Sequence, residues 1–337
     1  MPTNTKQQIV GKDRAHLERL IKEAIGEKGP NCDLNFIDVS NITDMFGLFD
    51  YSPFNGNISE WDVSNVMDMG QMFHRSAFTG DISRWNVSKV RSMSGMFYDS
   101  AFDGNISRWE VSSVQDMRGM FSGSPFSGDI SGWNVSHVEY MQGMFADSSF
   151  VGDISKWNVS RVKDMSGMFS QSLFNGDVSG WDVSHVENMN SMFEKSKFNG
   201  NIDGWNVVRV KYIRDMFLDS DFERTGKAKL WLNRAYPELL ERARNFDGCI
   251  VALNREHLIN LIDAAMWSSG PNCDLNFIDV SNVTMMFDLF KCSSFNGNID
   301  NWDVSNVKNM DNMFDGSELE KMGRIPKWYV AKQQRGC

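Results

Sequence analysis

The chain has 337 residues, of which 41% are hydrophobic and 23% are charged, and this composition is typical of a folded soluble protein rather than of a disordered chain. Its formal net charge of −10 disfavours binding to a phosphate backbone, so no nucleic-acid partner is expected. No apolar run approaches the ~18 residues that a membrane-spanning helix needs, and no membrane span is expected.

The first predicted element is a capping helix within residues 1–29. Asp13 is a suitable N-cap, and the residues after it place apolar side chains on one helical face. These residues are Leu17, Leu20, Ile21, Ala24 and Ile25. A helix of this kind covers the apolar end of a repeat array. The stretch before it, Met1 to Arg14, has neither the apolar core of a signal peptide nor a lipid-attachment Cys.

A period of 24 residues organises residues 30–222, the predicted first module of about eight coils. Seven units run without insertion from Phe54 to Asp221, and a more divergent unit precedes them. The most conspicuous column of the repeat is Trp61, Trp85, Trp109, Trp133, Trp157, Trp181 and Trp205. A fixed period of this length is typical of stacked supersecondary units.

Each unit is predicted to contain a short strand and a short helix. Trp85 and Val87 alternate with polar residues, which indicates a strand with these two side chains facing inward. Ser88 is placed to cap a following helix, whose apolar stripe has helical spacing. The stripe consists of Val90, Met93, Met96 and Phe97. The predicted fold is therefore an α/β solenoid, a leucine-rich-repeat-like stack of 24-residue strand–helix coils with helical caps.

The rest of the chain repeats the beginning of the first module. Residues 223–249, rich in Arg, Leu and Glu, are predicted to form a helical linker. Residues 250–337 are predicted to form a second, shorter capped solenoid module with a C-terminal tail, because Arg14–Val66 returns as Arg255–Val307. Its capping helix is predicted to follow Asn254. The five Cys form no C-x-x-C pair, so neither a disulfide framework nor a zinc site is expected.

The unit resembles the repeat of BspA-type leucine-rich-repeat surface proteins, which also occurs in mycoplasma surface lipoproteins as a domain of unknown function. Asp81 to Ser88 and Met93 to Phe97 carry this resemblance. It implies a non-enzymatic solenoid on a microbial surface, with a role in adhesion or contact with host proteins. Because the export signal and lipid-attachment Cys of a surface member are missing, the sequence leaves both a surface and a cytoplasmic location open.

Three carboxylates at successive repeats form one candidate site, Asp129, Asp153 and Asp177. Asn and Asp in this row are expected to hydrogen-bond the backbone of a turn. The alternative is a metal site for a cation such as calcium, because adjacent carboxylates repel one another unless a cation bridges them.

Cations form the other candidate site. Two rows that follow the Ser of the unit favour either a solvated face or a basic stripe for an acidic protein partner. The proposed contacts are Lys89, Arg91, Arg161, Lys163, Arg209 and Lys211. A third row projects from an open face if the strands line that face. It contains Arg84, Arg108 and Lys156.

The expected function is protein–protein recognition or adhesion through an extended solenoid face, without catalysis. One alternative is a structural component that self-assembles into an envelope or particle lattice. The other is an enzyme, but the chain has no phosphate-binding Gly-rich loop, H-E-x-x-H motif or nucleophile elbow. Neither an enzymatic activity nor a cofactor is therefore expected.

Overall fold

The computed structural model describes most of the chain. The described residues are 9–228, 230–231, 250–252 and 254–333. The chain forms two compact units. Unit 1 comprises Met1–Val210 and Asp215–Thr225, and unit 2 comprises Lys211–Arg214 and Gly226–Cys337. The predicted module boundaries stay predictions, and most of the predicted linker, residues 223–249, lies outside the described residues.

Among the described residues, two helices have 15 residues each, and the other helices and the strands are short. In chain order they are β1 (Ile9–Val10), α1 (Arg14–Lys28), β2 (Ile37–Asp38), α2 (Asp221–Arg224), β3 (Ile250–Val251), α3 (Arg255–Ser269), β4 (Ile278–Asp279), α4 (Glu318–Lys321) and α5 (Lys327–Gln333). Strand β1 pairs in parallel with β2, with Ile9 opposite Ile37. Strand β3 pairs with β4 in the equivalent register.

Both predicted capping helices are present and begin where their caps were expected. The Asp13 carboxylate accepts the N–H of His16 at 2.8 Å, and the Asn254 side chain accepts the N–H of His257 at 2.9 Å. These contacts satisfy an N–H group that the helix itself leaves without a partner. The inward face of α1 includes Leu17, which is fully buried, so the predicted apolar face does cover the core.

The repeats of unit 1 are built from turns, so the predicted strand and helix of each unit are wrong. Trp85 donates its N–H to the Ile82 carbonyl at 3.1 Å, closing a turn where the strand was expected. In the predicted helical segment, Met72 donates to Met69 at 3.2 Å, and Gln71 has φ of 53°. A residue in the left-handed region interrupts an α-helix. Turns that follow one another at two-residue steps point the same apolar residues inward as a helical stripe would.

Successive coils are joined by a ladder of backbone hydrogen bonds, where a coil means one 24-residue repeat. Within one segment of each coil, such as residues 69–75, every second N–H donates to a carbonyl of the next coil, 23 residues later. Between the second and third coils these bonds are Met69 to Ser92 (3.0 Å), Gln71 to Ser94 (2.8 Å), Phe73 to Met96 (2.9 Å) and Arg75 to Tyr98 (2.7 Å). The intervening N–H groups close the turns within the coil, which is why these N–H groups are unavailable for an α-helix.

Equivalent side chains of successive coils contact one another in the core. The indoles of Trp61 and Trp85 stack with centroids 6.5 Å apart, and so do those of Trp181 and Trp205. Each Trp Nε1 also donates to a carbonyl 27 residues earlier, as Trp133 does to Ile106 at 3.2 Å. The predicted inward orientation of the Trp column is therefore confirmed, although no strand carries it.

Both units end with the same arrangement. After the last coil, Ser220 caps α2 and Ser317 caps α4. The Glu223 carboxylate accepts the N–H of Asp219 at 2.6 Å, and the Glu320 carboxylate accepts the N–H of Gly316 at 2.7 Å. These N–H groups occupy the ladder position that would donate to a further coil, so the glutamates close the ladder.

Candidate recognition surface

The outward side chains of the ladder segments form one continuous surface of unit 1, which we call the ladder face. Its segments are residues 44–51, 68–75, 92–99, 116–123, 140–147, 164–171 and 188–195. Two rows on this face have positive φ in every coil. The inner row is Gly47, Gln71, Gly95, Gly119, Gly143, Gly167 and Ser191. The outer row is Tyr51, Arg75, Asp99, Gly123, Asp147, Gln171 and Lys195.

The two rows use the same backbone conformation but different residues. Five of the seven inner-row residues are Gly, which adopts positive φ without strain. Only Gly123 is a glycine in the outer row. For a residue other than Gly, the left-handed conformation raises the free energy of the folded chain by roughly 1 kcal/mol, and by less for Asp and Asn. Tyr51 and Arg75, both at φ of 51°, therefore lie at positions where the backbone conformation disfavours a side chain.

An aromatic cluster lies at the N-terminal part of the ladder face, formed by Tyr51, His74, Arg75 and Tyr98. The Tyr51 and His74 rings meet edge to face at 5.2 Å, and the His74 and Tyr98 rings are 5.1 Å apart. The Arg75 guanidinium lies over both tyrosines, 5.3 Å from the Tyr51 ring and 5.9 Å from the Tyr98 ring. Cation–π contacts of this kind fix the side chains relative to one another.

Hydrogen bonds across three coils complete the cluster. Arg75 Nη1 donates to the Tyr51 hydroxyl at 2.5 Å, and Arg75 Nε donates to Asp99 at 3.1 Å. Hydrogen bonding to Tyr51 is the main cause that raises the pKa of Arg75 above its usual value. His74 Nδ1 lies 2.7 Å from Asp50 Oδ1. The cluster is thus preorganised, and Tyr51 remains 61% exposed.

A second aromatic–cation pair continues the surface two coils further on. The Arg118 guanidinium lies 5.6 Å from the Tyr140 ring centroid and is held by Asp116 at 2.5 Å. The hydrogen bond to Asp116 raises the pKa of Arg118. Small residues such as Ser94 and Ala146 also belong to the ladder segments. Tyr and Arg among Ser, Gly and Asn are typical of antibody paratopes.

The predicted basic stripe lies outside the ladder segments, and one of its cations has a carboxylate partner within the stripe. Lys163 pairs with Glu139 at 2.6 Å, and this hydrogen bond raises the pKa of Lys163. Lys89 donates to Asn65 at 2.7 Å. Glu187 occupies the same row, so carboxylates alternate with cations along it. A role for this stripe stays a prediction.

The remaining predicted contacts are exposed but do not join the aromatic cluster. Arg91, Arg161 and Arg209 of the stripe are exposed in unit 1, and Lys211 belongs to unit 2. The row before the Trp is exposed as well. Its members are Arg84, Arg108 and Lys156. Since no strand is present there, the expectation of an open strand face does not apply to this row.

The carboxylate row hydrogen-bonds the turn backbone, as expected for Asn and Asp. Asp129, Asp153 and Asp177 each accept the N–H of the Ser two residues later at 2.9 Å. These bonds lower the pKa of all three carboxyl groups. Within the described ranges, no group of three or more His, Cys, Asp and Glu side chains is arranged to hold a metal ion. The alternative of a cation site stays a prediction.

Sequence reasoning missed the aromatic cluster, although one signal was available. The position of His74 and Tyr98 holds Ser122, Ala146 and Ser170 in the following repeats. Because this position varies between repeats, and also holds Asp50 and Glu194, a large side chain in it marks an individual coil, whereas the positions shared by all repeats belong to the core.

Comparison with known proteins identifies one family. The model of the family described as "Mycoplasma protein of unknown function, DUF285" matches residues 17–127, 124–226 and 236–333. No curated protein and no solved structure matches the chain. Among the described residues, no helix has the length and apolar character needed to cross a bilayer. The predicted resemblance to a mycoplasma repeat of unknown function is thereby confirmed.

Proposed function

Since the chain belongs to the DUF285 family of Mycoplasma proteins of unknown function, we propose a function from its surface: it is a non-catalytic repeat protein that recognises another protein through the ladder face of unit 1. We further propose that its coils form a solenoid related to that of BspA-type surface proteins, with a role in adhesion. The observation that carries the proposal is the aromatic cluster around Arg75.

The cluster has the properties of an interface anchor. Binding energy at protein interfaces is concentrated in a few Tyr, Trp and Arg side chains that are held rigidly before binding. Tyr51, Arg75 and Tyr98 meet this description because mutual contacts fix their positions while Tyr51 remains largely exposed. Asp99 pairs with Arg75 at 3.1 Å, and the Asp50 carboxylate lies beside His74, so the partner does not need to be acidic.

The alternative of a self-assembling lattice component has less support. Stacking of copies end to end requires open ladder ends. The side chain of Arg14 donates to the Phe46 carbonyl on the first coil of unit 1, and Arg255 donates to the Phe287 carbonyl at 2.9 Å in unit 2. At the other end of unit 2, Trp328 Nε1 donates to the Ile299 carbonyl at 2.9 Å, and the Trp328 indole stacks on that of Trp302. Trp328 thereby occupies the position that the Trp of a further repeat would take.

Truncation of the exposed anchor tests the proposed function. Tyr51→Ala removes the ring and the hydroxyl that hold Arg75, so we expect it to weaken binding at least tenfold, as for an interface hot spot. The measurement is quantitative capture of proteins from cell extract on immobilised chain, compared with the wild type by mass spectrometry.

A matched control removes an exposed apolar side chain elsewhere. Leu173 is 52% exposed and lies outside the ladder face, so Leu173→Ala should capture the same proteins as the wild type. Proteins that are captured equally by the wild type and both variants would contradict recognition through the ladder face. Light scattering at rising concentration separates the lattice alternative, for which the pure chain would associate by itself.

A further inference from the structure

We propose that the aromatic cluster binds a neutral carbohydrate carried by the partner protein. One pyranose ring packs on the exposed Tyr51 ring, and its hydroxyl groups bind the polar side chains around this ring. These side chains are Asp50, Arg75, Tyr98 and Asp99. The inference deepens the proposed function and rests on it, because it names the chemical group by which the partner is recognised.

The contacts within the cluster leave both donors and acceptors available for a ligand. His74 Nδ1 contacts Oδ1 of Asp50, and Arg75 Nε donates to Oδ2 of Asp99, so each carboxylate keeps one oxygen. Arg75 Nη1 donates to the Tyr51 hydroxyl, so the guanidinium keeps its Nη2. The atoms that have no hydrogen-bond partner among the described residues are Asp50 Oδ2, Asp99 Oδ1, Arg75 Nη2 and the Tyr98 hydroxyl.

The charges around the Tyr51 ring favour a neutral ligand. The Arg75 side chain is 43% exposed and repels a cation, whereas the Asp99 side chain beside it is 47% exposed and repels an anion. Asp50 adds a second exposed carboxylate. A hydroxyl group donates and accepts hydrogen bonds without carrying a charge, so a compound with several hydroxyl groups can bind the guanidinium and both carboxylates.

The polar atoms are denser here than at a typical protein–protein interface. The rings of Tyr51, His74 and Tyr98 follow one another at 5.2 and 5.1 Å. Two coil steps of ~4.8 Å make the cluster about 10 Å long, or roughly 100 Å² in area. Protein interfaces form about one hydrogen bond per 100–200 Å², whereas four unpaired polar atoms lie in this cluster. A pyranose has a hydroxyl on most of its ring carbons and apolar C–H groups that can be buried against the Tyr51 ring.

Gly123, the one glycine of the outer row, gives Asp99 its place in this site. A Cβ at position 123 would lie 2.5 Å from Asp99 Oδ1, which is one of the unpaired acceptors. The other oxygen of Asp99 holds Arg75. Gly123 is therefore a positioning residue, and the site accounts for a glycine where the adjacent coils have Asp99 and Asp147.

Binding to an array of immobilised glycans tests the inference. The full-length chain, Tyr51→Ala and Leu173→Ala are applied to neutral glycans that end in different hexoses, and to sialylated and sulfated glycans. We expect the wild type and Leu173→Ala to bind a class of neutral glycan, and Tyr51→Ala to bind it at least tenfold more weakly. Tyr98→Phe removes one oxygen atom and keeps the ring, so it should weaken binding at least threefold at unchanged thermal stability.

A double-mutant comparison tests the positioning role of Gly123. Gly123→Ala should weaken binding of the same glycan at least threefold, although it removes no atom of the cluster. In a chain that already carries Asp99→Ala, Gly123→Ala should have no further effect on binding. An equal loss in both chains would show that Gly123 acts independently of Asp99, and would overturn its positioning role.

Removal of glycans from the cell extract separates this inference from the proposed function. Proteins that the wild type captures and Tyr51→Ala does not capture should be lost after enzymatic removal of N-linked and O-linked glycans. Undiminished capture from the treated extract would overturn the carbohydrate inference and leave the proposed function in place. Binding to no glycan of the array, or only to the acidic glycans, would overturn it as well. If Tyr51→Ala captures the same proteins as the wild type from untreated extract, the proposed function itself fails.

Discussion

Gly56→Ala is expected to lower the free energy of unfolding by about 3 kcal/mol, as for a forced steric insertion into a packed site. A Cβ at position 56 would lie 1.9 Å from the Cys32 carbonyl oxygen and 2.7 Å from the Phe54 ring. The carbonyl cannot move away easily because it accepts the N–H of Asn57 at 3.1 Å. Urea unfolding followed by circular dichroism measures the change.

Gly132 provides the matched control for this substitution. A Cβ there would have no atom within 4 Å, and the residue is exposed. Gly132→Ala should therefore be neutral or stabilise by about 0.5 kcal/mol through the unfolded state. Equal effects at positions 56 and 132 would contradict the close approach of the coils at Gly56. Unit 2 offers a replicate, because a Cβ at Gly297 would lie 1.8 Å from the Cys273 carbonyl oxygen.

Trp133→Ala is expected to be still more costly, at about 4 kcal/mol. Trp133 is 4% exposed and packs on Phe121 with ring centroids 6.3 Å apart. The substitution leaves a large cavity and also removes one of the two hydrogen bonds that the Ile106 carbonyl accepts, the other being donated by the Trp109 N–H at 3.1 Å. Since a hydrogen bond of this kind contributes about 1 kcal/mol, its loss adds to the cost of the cavity.

Trp133→Phe separates these two effects. Phe fills most of the space but has no N–H, so we expect a smaller loss of about 2 kcal/mol from reduced packing and the missing hydrogen bond to Ile106. The same urea titration measures both variants. A change below about 0.5 kcal/mol for Trp133→Ala, typical of surface substitutions, would show that the Trp column does not carry the core.

The sequence was sufficient to predict which residues are buried and where the caps lie. When Trp, Met and Phe recur every 24 residues, they are buried most simply if equivalent side chains of successive coils contact one another. Capping residues act locally, so Asp13 and Asn254 could be identified from their immediate neighbours. The recurrence of the first capping helix at Arg255 supports the same prediction for unit 2.

The conformation between the buried residues was not predictable in the same way. Apolar residues at positions 69, 72 and 73 fit a helix, but consecutive turns bury them equally well. Hydrogen bonds between coils decide between the helix and the turns, because they use every second N–H of the ladder segments. Such long-range bonds override local helical spacing, and the left-handed residue in each turn, for example Gln71, has no single-residue signature.

The candidate surface was hidden for a related reason. Tyr51, His74 and Tyr98 are far apart in sequence and share no motif. They meet because consecutive coils bring residues 24 and 48 positions apart together on the ladder face. Rows of cations such as Arg161 and Lys163 are easier to see in the sequence, yet the structure gives Lys163 a carboxylate neighbour within its own row.

The central claim is that outer-row side chains are kept for binding and at the expense of backbone preference, and Arg75→Gly tests it most directly. The substitution relieves the strain of a side chain at positive φ and removes exposed contacts that solvent screens. We therefore expect unchanged stability within about 1 kcal/mol, together with at least a tenfold loss of partner affinity. Ser191→Gly, an inner-row control at φ of 53°, should change neither. Wild-type affinity in Arg75→Gly, or a stability loss well above 1 kcal/mol, would contradict the claim.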